Sequence, residues 1–502
     1  MINLNDNFYK MKYKKYKNKY ITIKNQYGGI VESPSMLRVA EETINKDYKL
    51  PDKTNITELT FSYNTVDNDG AAKIAEFIKK LTTLQEFQFW YNTIENKVIQ
   101  IIAASLKTLN TPEKLEKLDI GADKIANKDF IVFAESFAKM TGLKSLLIQY
   151  NKIDNKGASA LASSFKHMSH LTSLNLAYTR FDSHGADALA EGFKNLLNLT
   201  SLNLDSTNFG DSVRALAEGF KNMSKLTKLN LSNNEVGNKG VSALANSFQH
   251  MPNLTKLNLF NNNFGSDEAS LLADGFTNMS NLTYLDLAYN DIRNKGASAL
   301  ANSFQHITKL RHLYLSYNNI GNRGASELAN SFNNIPELQE LNFNGNYIGN
   351  NGASAFAKSF THLTQLRRLE LNKNTIRNKG AIELVNSLQH NPHLYYLGLR
   401  GNYIGNNGAL TVVKSVLSTI KTLDLSYNYI SNESQLTLIF IKDDKYNLVL
   451  NNQKPQTFIC IPNVNGIYDT NCESEESESE SDESESEESE SEESEESKSE
   501  EY

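Results

Sequence analysis

Cysteine is nearly absent from this 502-residue sequence, in which Cys460 and Cys472 are the only two. Two thiols in so long a chain cannot make a disulfide framework, so a reducing compartment is expected. Long apolar runs are missing as well. No stretch of about 18 apolar residues is present, so no membrane-spanning helix is expected. The N-terminus lacks the short apolar core of a secretory signal, so we expect a cytoplasmic chain that is not secreted. Catalytic signatures are also missing. There is no phosphate-binding Gly-rich loop ending in Lys-Ser/Thr, no dinucleotide-binding glycine motif after a strand, and no nucleophile-base pair at local spacing. No enzyme activity, catalytic residue or cofactor is expected.

A strong charge of one sign is missing from the body of the chain. The formal net charge is −7, but Glu473 to Tyr502 holds seventeen acidic residues and one lysine, a net −16, which leaves about +9 on residues 1–472. Residues 1–30 carry seven lysines against Asp6. What lies between is nearly neutral, which removes the usual electrostatic basis for binding nucleic acid.

What is present is a repeat. An asparagine column recurs about every 28 residues at Asn64, Asn92, Asn151, Asn234, Asn262, Asn290, Asn318, Asn346, Asn374, Asn402 and Asn428, with Asp123, Thr179 and Thr207 filling the gaps. These make fourteen units. Divergence at Asp123, Thr179 and Thr207 leaves the regularity of the third, fifth and sixth open. Each unit switches period. Around Leu285 and Leu287 the alternation is two, a short strand with one buried face. Ala297, Leu300, Ala301 and Phe304 then fall at i, i+3, i+4 and i+7, one face of a helix. Gly296 and its counterparts at 70, 157, 185, 240, 324, 352, 380 and 408 are expected to supply a turn with permissive backbone angles. The asparagines are expected to bond loop backbone and stack as a ladder. No single strand-helix unit can bury its apolar face alone, so the units must stack.

The pattern L-x-x-L-x-L-x-x-N followed by a helix of the Gly-Ala-Ser-Ala-Leu-Ala type resembles the ribonuclease-inhibitor-like leucine-rich repeats. The resemblance covers residues 56–435. It implies an α/β fold, a curved solenoid or horseshoe with a parallel concave sheet and convex helices. Geometry agrees: strands sit about 4.8 Å apart and helices about 10 Å, so the stack must curve with its strands inside. The repeat type is also similar to that of GTPase-activating leucine-rich-repeat proteins, which supplies an alternative function.

On the concave sheet the residues beside the strand leucines vary while the leucines do not. They include Trp90, Tyr91, Tyr150, Tyr178, Phe260, Tyr284, Tyr289, Tyr314, Tyr317, Tyr396 and Tyr427, interleaved with Asn175, Asn203, Asn230, Asn258, Asp286 and Arg400. Aromatics crowding one rigid face suit a binding surface, although tyrosine also favours strands for structural reasons. The twelve candidate partner-binding residues are these eleven aromatics and Arg400. His167, His250, His306, His362 and His390 share one repeat position after the helix, where an imidazole can meet C-terminal carbonyls. His167 with His170, and His390 with His393, have metal-like spacing without a completing cysteine or carboxylate cluster, so no metal site is expected.

The ends differ from the repeats. Residues 1–29 form a basic amphipathic segment, with Tyr9, Tyr13, Tyr16, Tyr20 and Ile23 on one helical face, suited to weak contact with an anionic membrane surface or to capping. The stretch from Tyr16 to Gly29 resembles an N-terminal motif of giant DNA virus proteins, which would place the chain in host cytoplasm. Residues 30–55 are read as an N-terminal cap and 56–435 as the repeats. Residues 436–472 are read as a C-terminal cap with strand-like runs Leu438–Ile441 and Leu448–Leu450. Residues 473–502 are a Ser/Glu tail that cannot fold and that suits an acidophilic kinase. The expected function is a scaffold that recognises a protein partner through its concave face; the alternatives are regulation of a small GTPase or a membrane-associated structural role.

Overall fold

The computed structural model describes residues 30–121, 125–388, 391–416, 420–441, 447–451 and 453–454. The lysine-tyrosine segment 1–29, Asp123, His390, both cysteines and the acidic tail lie outside the described residues.

Each unit contributes a strand of three to five residues whose central apolar side chain is fully buried. In Tyr284–Asp286, Leu285 is 0% exposed while its two neighbours are half-buried. Strands this short hold together through their neighbours: Leu257, Leu285, Leu313, Leu341, Leu369, Leu397, Leu423 and Leu448 stand in register across successive parallel pairs. Among the described residues the sheet has seventeen strands, all parallel except Ile30–Glu32, which runs antiparallel to Met36–Ala40 and covers that strand's outer edge. Helices line the other face. Arg293–Ser303 turns Gly296, Ala297, Leu300 and Ala301 into the core. Phenylalanines at the helix ends stack from unit to unit, as in Phe165–Phe193 at 6.0 Å and Phe304–Phe332 at 6.5 Å. The result is a curved α/β solenoid with one continuous core, each buried leucine contributing about 1.5–3 kcal/mol.

The asparagine column forms the expected ladder. Asn346 Oδ1 accepts from the amides of Asn318 and Ile320 at 3.1 and 3.0 Å, and its Nδ2 donates to the Leu315 and Phe343 carbonyls. The fifth unit proves regular, and the sixth keeps its ladder rung but enters a short helix, Val213–Phe220, through the 3-10 turn Gly210–Ser212. Thr179 and Thr207 are fully buried and donate to the Leu176 and Leu204 carbonyls, and Thr207 also donates to Asn234 Oδ1.

Three expectations change. The helix-entry glycines have no left-handed backbone. They are small because the preceding unit is close: a Cβ at Gly70 would lie 1.9 Å from the Ile44 carbonyl oxygen, and one at Gly380 2.8 Å from Asn350 Oδ1. The run Leu438–Ile441, read as strand-like, belongs to the helix Asn432–Ile441. The repeat also does not stop where its leucine pattern fades. Asn447–Val449 adds a parallel strand, and Gln453 takes the next rung, accepting from the Asn428 amide at 2.9 Å and donating to the Leu425 and Leu450 carbonyls.

Candidate partner-binding face

The first and third residues of each strand sit on the concave side, with a further position just past the strand. One residue beyond that, immediately before each ladder position, the backbone is left-handed in unit after unit, with φ from +54° to +69° at Tyr63, Tyr91, Tyr150, Tyr178, Ser206, Asn233, Asn261, Tyr289, Tyr317, Gly345, Lys373, Gly401 and Tyr427. This conformation turns the chain off the sheet into the loop, and it creates a rim.

The twelve candidate residues therefore fall into two groups. Tyr284, Tyr314 and Tyr396 lie on strands, and Trp90, Phe260 and Arg400 lie at or just past strand ends, all on the sheet face. Tyr91, Tyr150, Tyr178, Tyr289, Tyr317 and Tyr427 occupy the left-handed rim. The rings meet their neighbours. Tyr150 stacks on Tyr178 at 4.3 Å, and Tyr289 on Tyr317 at 4.3 Å with Phe260 5.0 Å from Tyr289. Tyr91 stacks on Tyr63 at 5.3 Å, with Trp90 edge-on to both. Tyr317 also covers Gly345 and accepts from Lys373 Nζ through its hydroxyl at 2.9 Å. The Arg400 guanidinium lies 4.4 Å over the Tyr427 ring, and that of Arg368 lies 3.7 Å over Tyr396. These contacts fix the rings before anything binds.

The interleaved asparagines have a structural duty that their variability conceals. Asn175, Asn203, Asn230 and Asn258 each accept, through Oδ1, the amide two residues on, at 2.9–3.1 Å. Asp286 does the same for Ala288. Where it is asparagine or aspartate, the third strand position thus closes a small turn at the strand end.

Burial pushes the carboxyls of Asp119 and Asp286 up to about 6; the Gly121 and Ala288 amides oppose that rise. The Tyr289 hydroxyl is pushed up to about 12 by burial and then by Tyr317. Tyr284 and Tyr314 are held well above the ordinary phenol range by burial, with Asp286 and Glu340 adding to it. His167, His250 and His362 each end a short 3-10 turn that continues the helix, the position expected for them. Among the described residues no group of three or more His, Cys, Asp or Glu side chains could hold a metal, and no helix is long and apolar enough to cross a membrane.

Several aromatics escaped the sequence reading. Tyr63 sits one residue before Asn64, the same offset as Tyr91 and Tyr150, so its column was visible. Tyr403 and Tyr429, stacked at 5.6 Å with Lys454 Nζ within 5 Å of both rings, lie one residue after the ladder position, outside any column considered.

Family models described as leucine-rich repeat match residues 270–320 and 309–334, and a third matches 52–75, 139–162, 167–190, 222–245, 250–273, 336–357 and 362–385. Among solved structures, an internalin from Listeria monocytogenes is similar with a TM-score of 0.45 and 21% identity, over 74% of this chain and 82% of that one. No curated protein matches the sequence.

Proposed function

We propose that this chain, a leucine-rich-repeat protein, is a non-enzymatic scaffold that holds a protein partner against its concave face and the adjoining rim. The carrying observation is the set of prestacked aromatic rings along one edge of a rigid sheet, above all Phe260, Tyr289 and Tyr317 beside Tyr284 and Tyr314. Tyrosine offers large contact area for little conformational entropy, and rings already stacked on a neighbour lose less still on binding. The pairing of each short strand with a full helix in units of about 28 residues supports the ribonuclease-inhibitor type of repeat.

The test compares the intact chain with a variant carrying Tyr289→Ala, Tyr314→Ala and Tyr317→Ala in affinity capture from cell lysate. A discrete partner held by the first and lost from the second, with circular dichroism unchanged, supports the proposal. The same partners on both forms would place recognition elsewhere on the chain.

A further inference from the structure

On the concave sheet three of the strand carboxylates have a cation of their own. Glu58 pairs with Arg38 at 2.7 Å and Glu86 with Lys117 at 3.0 Å. Glu370 pairs with Arg368, whose guanidinium also lies 3.7 Å over the Tyr396 ring. That last group is a complete triad of carboxylate, tyrosine face and guanidinium, built from adjacent strands.

Nearby on the same face the first two parts recur without the third. The Tyr284 and Tyr314 rings stand 5.3 Å apart at 48°. The Tyr284 hydroxyl donates to Asp286 Oδ2 at 3.3 Å, and the Tyr314 hydroxyl donates to Glu340 Oε2. The flanking basic side chains stay with the rings: Lys256 Nζ is 5.9 Å from the Tyr284 centroid, and the His312 ring is also 5.9 Å from Tyr284. Among the described residues neither Asp286 nor Glu340 is in an ion pair with a lysine, arginine or histidine. Two strand spacings, about 10 Å, separate the two carboxylate-bearing strands, with Tyr314 on the strand between. Part of the column that holds Asp286 closes its turn with an amide oxygen alone, as Asn258 and Asn342 show, while Asp119 and Asp424 close theirs with a carboxylate as Asp286 does. An aspartate there adds a charge that the fold does not require.

We propose that Asp286, Glu340 and the rings of Tyr284 and Tyr314 form a seat for an arginine or lysine side chain presented by the protein partner. This rests on the concave-face function proposed above and names the chemistry of its central contact. A guanidinium laid against either ring would bond the carboxylate beside it, as Arg368 lies over Tyr396 and pairs with Glu370. It would also neutralise carboxylates that are costly to hold partly buried and unpaired.

The test uses displayed random twelve-residue peptides, selected on the full chain and depleted on the full chain carrying Asp286→Asn and Glu340→Gln. The asparagine keeps the Ala288 bond, so this variant should fold, and matching circular dichroism and melting curves verify it. Depletion also removes peptides drawn to the acidic tail, which both forms share. The expected survivors carry an arginine or lysine whose replacement by alanine weakens binding by about tenfold or more. Survivors without such a residue, or no survivors, would overturn the seat. In that case, peptides kept by both forms but lost from the Tyr289→Ala, Tyr317→Ala variant would leave concave-face binding standing, whereas peptides indifferent to every concave substitution would remove both.

Discussion

At the residue scale, one backbone angle governs what the rim can display. Among the described residues a left-handed residue precedes the ladder positions from Asn64 to Asn428, and a non-glycine side chain there costs roughly 1–2 kcal/mol. Seven tyrosines occupy that column and offset the cost by stacking, whereas Gly345 and Gly401 leave gaps. Gly345→Ala is expected to destabilise the chain by about 1–3 kcal/mol, since φ is +66° and the new Cβ would meet the Tyr317 ring at 2.5 Å. Thermal melting checks it; an unchanged midpoint would contradict the tight seating of Tyr317. Asp286 gives a pH signature. Its folded value near 6 stands above an ordinary carboxylate, so the protonated form contributes stability fully present below about pH 4 and lost as pH rises through about 6. Asp286→Asn should therefore stabilise the chain at pH 7.5 by about 1–3 kcal/mol and make little difference at pH 4. Melts at the two pH values measure this, and an equal effect at both would place the carboxylate in a well-solvated site. The candidate tyrosines were legible as a list because they cluster beside the strand leucines. Their division into face and rim was not, since nothing in the residue names marks a positive φ: the same column holds Tyr317, Ser206 and Lys373. The structural duty of Asn175 and its counterparts was hidden for a related reason, because an Asx turn and an exposed recognition amide call for the same residue.

At the scale of the element, strands of three residues and helices of eight to thirteen would not persist in isolation; stacking supplies their stability. Their order and type were readable because the two periodicities alternate over many units. The exception is instructive. Leu438, Ile439, Phe440 and Ile441 have no polar residue to reveal a helical face, and an apolar run of that length fits a strand equally well. What fixes it as a helix is the stack itself, which places Asn432–Ile441 after the strand Thr422–Asp424 as every earlier unit does. The final rung was missed because Gln453 stands where asparagine was sought and comes 25 residues after Asn428. Its amide reaches the same carbonyls with one methylene more. Gln453→Ala should leave the Asn428 amide and the Leu450 carbonyl unsatisfied, while the Leu425 carbonyl keeps Asn428 Nδ2. Hydrogen exchange is then expected to quicken by about tenfold or more at Asn428 and to stay unchanged at Asn318. Uniform quickening along the chain would show instead that the last rung is coupled to the whole solenoid.

At the scale of the molecule, curvature follows from the unequal spacing of strands and helices, and it gives the concave side a different chemistry from the convex one. Helices present serine, lysine, asparagine and glutamate to solvent, whereas the sheet and its rim gather the rings, the paired and unpaired carboxylates and the stacked guanidiniums. The fold was legible from the repeat spacing, and the face proposed to bind was legible as far as its residue types. Which charges are already neutralised within the sheet was legible only in part: Arg368 and Glu370 stand two apart on one strand, whereas Glu58 meets Arg38 and Glu86 meets Lys117 only through strand register. The most direct measurement is hydrogen-deuterium exchange of the full chain with and without a captured partner. Slower exchange confined to the strand-to-rim segments 284–292 and 312–320 is the expected result; slower exchange confined to the helices Arg293–Ser303 and Asn322–Ser331, with the sheet and rim unchanged, would contradict binding at the concave face.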